Sequence, residues 1–149
     1  VSGVHVKIVI DAPVQRVWDT VMDPNRLKDW VTIHRELKDV SPNPVSQGAT
    51  MDQILHMRGV SFRVHWTLVK VHPPNHATWE GRGPAHSRAR ITYALAGDGD
   101  GPTEFDYTND FTPPGGRLGI VASRVIIGAA SDREAKNSLS RLKALIENS

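Results

Sequence analysis

Cysteine is absent from these 149 residues, which excludes disulfides, thiolate metal sites and cysteine nucleophiles. No apolar run reaches about 18 residues, so no membrane-spanning segment is expected and any role at a bilayer would be peripheral. Neither sign of charge is in excess: 18 Lys and Arg face 16 Asp and Glu, a formal charge of +2. That near balance leaves no basic footprint for nucleic acid. A charged segment followed by an apolar one, as in a secretory leader, is also missing, and the cytoplasm is the expected location. The chain opens on Val1 and not on Met, so the reading does not reach anything upstream. Low complexity is confined to Gly97-Asp98-Gly99-Asp100-Gly101, and no internal repeat is found.

What is present suffices for one domain over residues 1–149, with 39% hydrophobic residues to fill a core. Val4, Val6, Ile8 and Ile10 alternate with more polar neighbours and predict a strand. Asp11 is the expected cap of the helix that follows, with Pro13 in its first turn. Val14, Val17, Trp18 and Val21 share one face of that helix, which Asp23-Pro24 ends, and a short second helix runs through Arg26, Leu27 and Trp30. Alternating runs then cover about 33–40, 49–58, 60–72, 77–83, 87–96 and 103–111. Turn signals such as Pro42-Asn43-Pro44, Arg58-Gly59 and Pro73-Pro74-Asn75 separate them, so an antiparallel meander is predicted.

After Pro113-Pro114-Gly115-Gly116, helical periodicity from about Leu118 onward predicts one long C-terminal helix. Its first half is apolar nearly all round, with Leu118, Ile120, Val121, Ala122, Val125, Ile126, Ile127, Ala129 and Ala130. Its second half is one-sided, with Leu139, Leu142, Leu145 and Ile146 among polar residues. Two burial regimes imply that the first half faces a pocket. Helices gathered at the ends of a run of strands predict an α+β domain of two layers.

Alternation also assigns faces. Phe62, Val64, Trp66 and Leu68 lie on a covered face, as do Leu55, Trp79 and Phe111 on neighbouring strands. Asp52, Glu80, Glu104, Asp106 and Asp110 fall on the outer face as partners for Arg63, Arg88 and Arg90. Four polar residues interrupt the covered face: Gln53, Tyr93, Tyr107 and Asn109. A buried polar group without a partner costs about 1–3 kcal/mol. These four therefore either bond one another inside a filled core or supply the sparse polar groups of a ligand cavity. Ala122, Gly128 and Ala129 from the helix, with Gly81 and Ala77 from the sheet, would leave room for a guest. A glycine at 128, costing about 1 kcal/mol in a helix interior, suggests a close approach, a kink or space.

The opening Val6-Lys7-Ile8-Val9-Ile10-Asp11-Ala12-Pro13-Val14-Gln15-Arg16-Val17-Trp18-Asp19 and the following Asp23-Pro24-Asn25-Arg26-Leu27-Lys28-Asp29-Trp30-Val31 resemble the START-like, or SRPBCC, superfamily. The closing Phe111-Thr112-Pro113-Pro114-Gly115-Gly116-Arg117-Leu118-Gly119 and Ser138-Leu139-Ser140-Arg141-Leu142-Lys143-Ala144-Leu145 resemble its polyketide cyclase/dehydrase branch. The resemblance covers essentially the whole chain and implies a helix-grip fold. In that fold a curved antiparallel sheet of about seven strands wraps a long C-terminal helix around a hydrophobic tunnel. Relatives include lipid carriers, plant pathogenesis-related and hormone-binding proteins, aromatases/cyclases and chaperone activators, so fold alone does not settle function.

The leading expectation is a hydrophobic small-molecule site, for a lipid, isoprenoid or polyketide-like ligand. Its wall is assigned to Trp30, Gln53, Leu55, Phe62, Val64, Trp66, Trp79, Tyr93, Tyr107, Asn109, Leu118, Ala122, Val125, Ile126 and Ala129. A cyclase or dehydratase using the same cavity is the alternative, with Tyr93, Tyr107 and His34 as candidate proton-handling groups. A third reading, an interaction module like the chaperone activators, needs Trp30 or Trp79 exposed. The seven histidines show no compact ligand spacing, Gly97–Gly101 lacks a calcium-loop pattern, and neither metal nor cofactor is expected. Oligomeric state is not fixed by the sequence.

Overall fold

The computed structural model describes residues 2–115 and 119–149. The alternating runs pair into one antiparallel sheet of seven strands, ordered β1-β7-β6-β5-β4-β3-β2. The strands are β1 (Ser2–Ile10), β2 (His34–Lys38), β3 (Thr50–Met57), β4 (Val60–His72), β5 (His76–Arg82), β6 (Arg88–Gly97) and β7 (Thr103–Thr112). From β2 to β7, strands that follow one another in the chain lie side by side, as short connections dictate, while β1 forms the far edge against β7. The tightest link is Arg58-Gly59, where both residues adopt positive φ, at 51° and 80°. That is the conformation a two-residue hairpin needs to match strand twist. Register shifts between His34 and Glu36 and between Leu68 and Lys70 interrupt the ladders and favour bending of the sheet.

Four α-helices cover one face: α1 (Val14–Val21), α2 (Leu27–Trp30), α3 (Ile120–Ala129) and α4 (Asp132–Glu147). Asp11 does not cap α1. Pro13 holds that position without a side-chain bond, and the Asp11 N–H is instead donated to Glu147 Oε2 at 2.8 Å. The end of α4 is thus tied to the corner after β1. Lys143 Nζ adds a 2.6 Å bond to the Val9 carbonyl and pairs with the same Glu147. Along α4 the residues Leu139, Leu142 and Ile146 are buried, and the helix packs chiefly on β1 and α2.

The C-terminal helical stretch is divided in two, where periodicity predicted one continuous helix. Ser131 is extended, with φ −77° and ψ 160°, and its hydroxyl accepts the Glu134 N–H at 3.3 Å. A serine three residues ahead of a glutamate is a helix-start signal, and here it opens α4 in the middle of an apparently helical run. The core beneath includes Ile10, Val17, Leu68, Phe105, Leu139 and Leu142, all essentially sealed from solvent. Each such side chain contributes on the order of 2 kcal/mol through apolar burial.

Candidate functional site

A cavity of about 140 Å³ lies between the covered face of the sheet and the helices. Its sheet wall carries Gln53 and Leu55 of β3, Phe62, Val64 and Trp66 of β4, Trp79 of β5, Tyr93 of β6, and Tyr107 and Asn109 of β7. These residues point inward because each strand contributes every second side chain to that face. Trp30 of α2 closes the cavity from the helix side, together with Ile126 and Ala129 of α3.

Two polar groups interrupt this apolar lining. In the first, Trp66 Nε1 donates to Gln53 Oε1 at 3.0 Å, and Gln53 Nε2 lies 2.9 Å from His34 Nδ1. Indole can only donate, so the Gln53 oxygen must face Trp66 and its amide hydrogens must face His34. His34 Nδ1 is then an acceptor, and the ring proton sits on Nε2. The His34 pKa is lowered, first by burial and then by the positive charge of Lys28. The amide orientation acts in the same direction, because protonated His34 would have no acceptor at Nδ1.

In the second group, Tyr93 packs edge-on against Trp30 at 6.3 Å and against Phe105 at 5.3 Å, and its ring lies 6.3 Å from Tyr107. Burial drives the Tyr93 hydroxyl well above its ordinary pKa, with neighbouring Tyr107 adding to the shift. Tyr107 is pushed up to about 12 by burial, offset in part by a hydrogen bond from the Asn109 side chain. Both phenols are neutral at physiological pH and able to donate.

The structure corrects several sequence-based assignments. Ala122 and Val125 do not line the cavity: only the last turn of α3 reaches it, and Val125 packs into the core instead. The apolar first half of the helical stretch is not explained by the pocket, since Ile120, Val121 and Ile127 are exposed. Leu118 lies outside the described residues. His34 stands behind Gln53 and is absent from the lining, so it does not face the cavity as a catalytic base would. Trp30 and Trp79 are both buried and offer no contact surface for a partner protein.

Of the small residues, Ala77 is sealed in the core and is not part of the wall. The room left by Gly81 is filled from within: an added Cβ would stand 2.6 Å from the Trp66 ring. Gly128 faces Met57, and a methyl group there would meet it at an ordinary 3.6 Å. The outer carboxylates sit where alternation put them, with Asp52 bonded to Arg63 and His65, Glu80 to Arg90 and Asp106 to His5.

Sequence reasoning missed the contribution of α4. Glu134, Ala135, Ser138 and Leu139 line the cavity, and Thr32 donates to Glu134 Oε2 at 2.7 Å. The Ser131-to-Glu134 spacing was the available signal for where that helix starts. No helix among the described residues is long and apolar enough to cross a membrane. No group of three or more His, Cys, Asp or Glu side chains able to hold a metal occurs among them either.

The family profile described as polyketide cyclase/dehydrase and lipid transport matches residues 3–147. The chain belongs to this family. Among curated proteins, Toxin Rv0910 of Mycobacterium tuberculosis strain H37Rv is 25% identical over 89 residues, 60% of this chain and 62% of that protein. The chain therefore matches less than two thirds of that relative's length. The Zhui aromatase/cyclase from Streptomyces sp. R1128 superposes with a TM-score of 0.77 at 14% identity, covering 99% of this chain and 94% of the other. A conserved protein from Geobacillus kaustophilus gives 0.76 at 17% identity, with coverage of 99% and 96%. At such identities the likeness is one of fold, and it agrees with the helix-grip arrangement of sheet and C-terminal helix.

Proposed function

We propose that this protein binds a hydrophobic small molecule in the cavity between its sheet and its C-terminal helices. The observation that carries the reading is the incomplete filling of the interior. The side chains on the covered face of the sheet leave about 140 Å³ between Trp30, Trp66, Tyr93 and Ala129. An apolar guest there gains about 25 cal/mol per Å² of apolar area removed from water, and the few polar groups orient it. The family description, which names both cyclisation and lipid transport, is compatible with a ligand of this kind.

Binding is favoured over turnover by the chemistry of the wall. Tyr93 and Tyr107 are held as neutral donors, His34 is turned away behind Gln53, and the carboxylate of Glu134 is engaged by Thr32. A cyclase working through this lining would have to rely on Glu134, the one carboxylate among the lining residues described, one of whose oxygens already accepts from Thr32.

Trp30, Trp66 and Trp79 all border the cavity, so occupancy is readable in tryptophan emission. Titration with naphthalene should give a saturable change, and Ala129→Phe, which fills the space, should weaken it at least tenfold. A linear, non-saturating response, or equal binding by the filled variant, would refute the reading.

A further inference from the structure

Helix α3 is apolar nearly all the way round, and such helices are ordinarily buried. This one is buried on one side only. Val125 and Ile126 pack into the core, and Ile126 and Ala129 line the cavity. On the opposite side, Ile120, Val121 and Ile127 are exposed to 72%, 69% and 47%, and the first two are the most exposed large apolar side chains among the described residues. Ile120, Arg124 and Ile127 follow one another at four and three residues, so an exposed arginine sits within the apolar face. Ten residues are too few to cross a bilayer, which takes about 20, so the helix can only lie along a surface.

The surrounding charge identifies that surface. No Asp or Glu occurs between Asp110 and Asp132. Exposed Arg58 lies in the β3–β4 turn beside Met57, the side chain that faces Gly128 near the end of α3. Neither Arg58 nor Arg124 has an ion-pair partner among the described residues. Asp132, the first acid after α3, is paired with Lys136 at 2.8 Å. Aliphatic side chains with free guanidinium groups among them match hydrocarbon overlaid by negative charge. An arginine stem can lie on the hydrocarbon while its head meets phosphate. A second copy docked face to face would instead bring another Arg124 into the same contact. We propose that the outer face of α3 docks on an anionic lipid bilayer, with Ile120, Val121 and Ile127 in the acyl boundary and Arg124 and Arg58 at the headgroups. The other face of the same helix is cavity wall, so docking sets the cavity beside the medium in which apolar molecules collect. The proposal goes beyond the ligand-site reading and does not depend on it.

The test is flotation of the full chain with vesicles of phosphatidylcholine alone and of phosphatidylcholine mixed with phosphatidylglycerol. The mixed vesicles should bind at least about tenfold more strongly, and added salt should weaken that binding. The double variant Ile120→Asp/Val121→Asp should lose at least about tenfold in partitioning, and Arg124→Glu about tenfold, while Arg124→Lys stays near wild type. Both aspartates replace exposed side chains, and thermal unfolding checks that the variants fold. Val9→Asp, at an exposed position on β1, should bind as the wild type does. Absence of wild-type binding to the mixed vesicles, or undiminished binding by both the double variant and Arg124→Glu, would overturn the proposal. Dimers seen by analytical ultracentrifugation and abolished by the double variant, without flotation of the wild type, would assign the face to a second copy and overturn it equally.

Discussion

Two polar groups face the same cavity from either side of β5, and they are completed differently. On the β3–β4 side, Gln53 satisfies Trp66 with its oxygen and His34 with its nitrogen. On the β6–β7 side, the Asn109 side-chain oxygen and the Trp30 indole N–H are both buried without a hydrogen-bond partner. Residue type alone does not separate these cases, since both centre on a buried side-chain amide. Partner count does. A completed network fixes the shape of a wall, and an incomplete one leaves bonding capacity for something else.

The largest expected effect comes from striking the completed side. Gly81→Ala places a methyl group inside the van der Waals radius of the Trp66 ring and forces the indole off Gln53. A loss of about 3 kcal/mol in chemical denaturation follows from overpacking together with the broken bond. Wild-type stability in this variant would show that Trp66 is not held as described. Gln53→Leu should cost about 2 kcal/mol in the same assay, because Trp66 loses its acceptor and His34 its donor.

Asn109→Leu is the matching change on the open side and should alter stability by no more than about 1 kcal/mol, since it removes an unsatisfied acceptor along with one hydrogen bond. Equal losses for Gln53→Leu and Asn109→Leu would erase the contrast between the two walls. The smallest effect is in pH dependence. His34 has a folded-state pKa below its unfolded value of 6.5, so the unfolded chain binds a proton that the folded chain refuses. Stability should fall as pH drops from about 6.5 towards the lowered value and then level off. His76 is shifted downward as well, first by burial, and contributes a slope of the same sign. His34→Asn, which keeps an acceptor for Gln53 without titrating, should flatten part of this slope. An unchanged slope would mean that His34 is not locked as an acceptor.

Much of the architecture was readable from the chain. The alternation in Phe62-Arg63-Val64-His65-Trp66 and the Arg58-Gly59 turn lead directly to paired strands with one covered face, and Gln53, Tyr93, Tyr107 and Asn109 stand out because they break that alternation. The division of the C-terminal helix was harder to see, since Ala129, Ala130 and Ser131 are all acceptable inside a helix. Only the pairing of Ser131 with Glu134 marks a new start. Periodicity gave Ala122 and Val125 the same face as Ile126 and Ala129, but how far along a helix a cavity extends depends on tertiary placement. Gly81 was misread for a related reason: a missing side chain shows space, not what fills it.

The bond from Lys143 to the Val9 carbonyl and that from the Asp11 N–H to Glu147 pin the end of the outermost ribbon on one side of the sheet. On the other side the last ribbon, β2, is only five residues long and carries Arg35, Glu36 and Lys38 in exposed positions. That short, charged margin offers little template to a neighbouring chain. A hollow interior invites loosening, and loosened sheets tend to recruit one another. With one border guarded by charge and the other pinned at its end, the molecule can keep an unfilled centre at less risk of seeding fibrous growth.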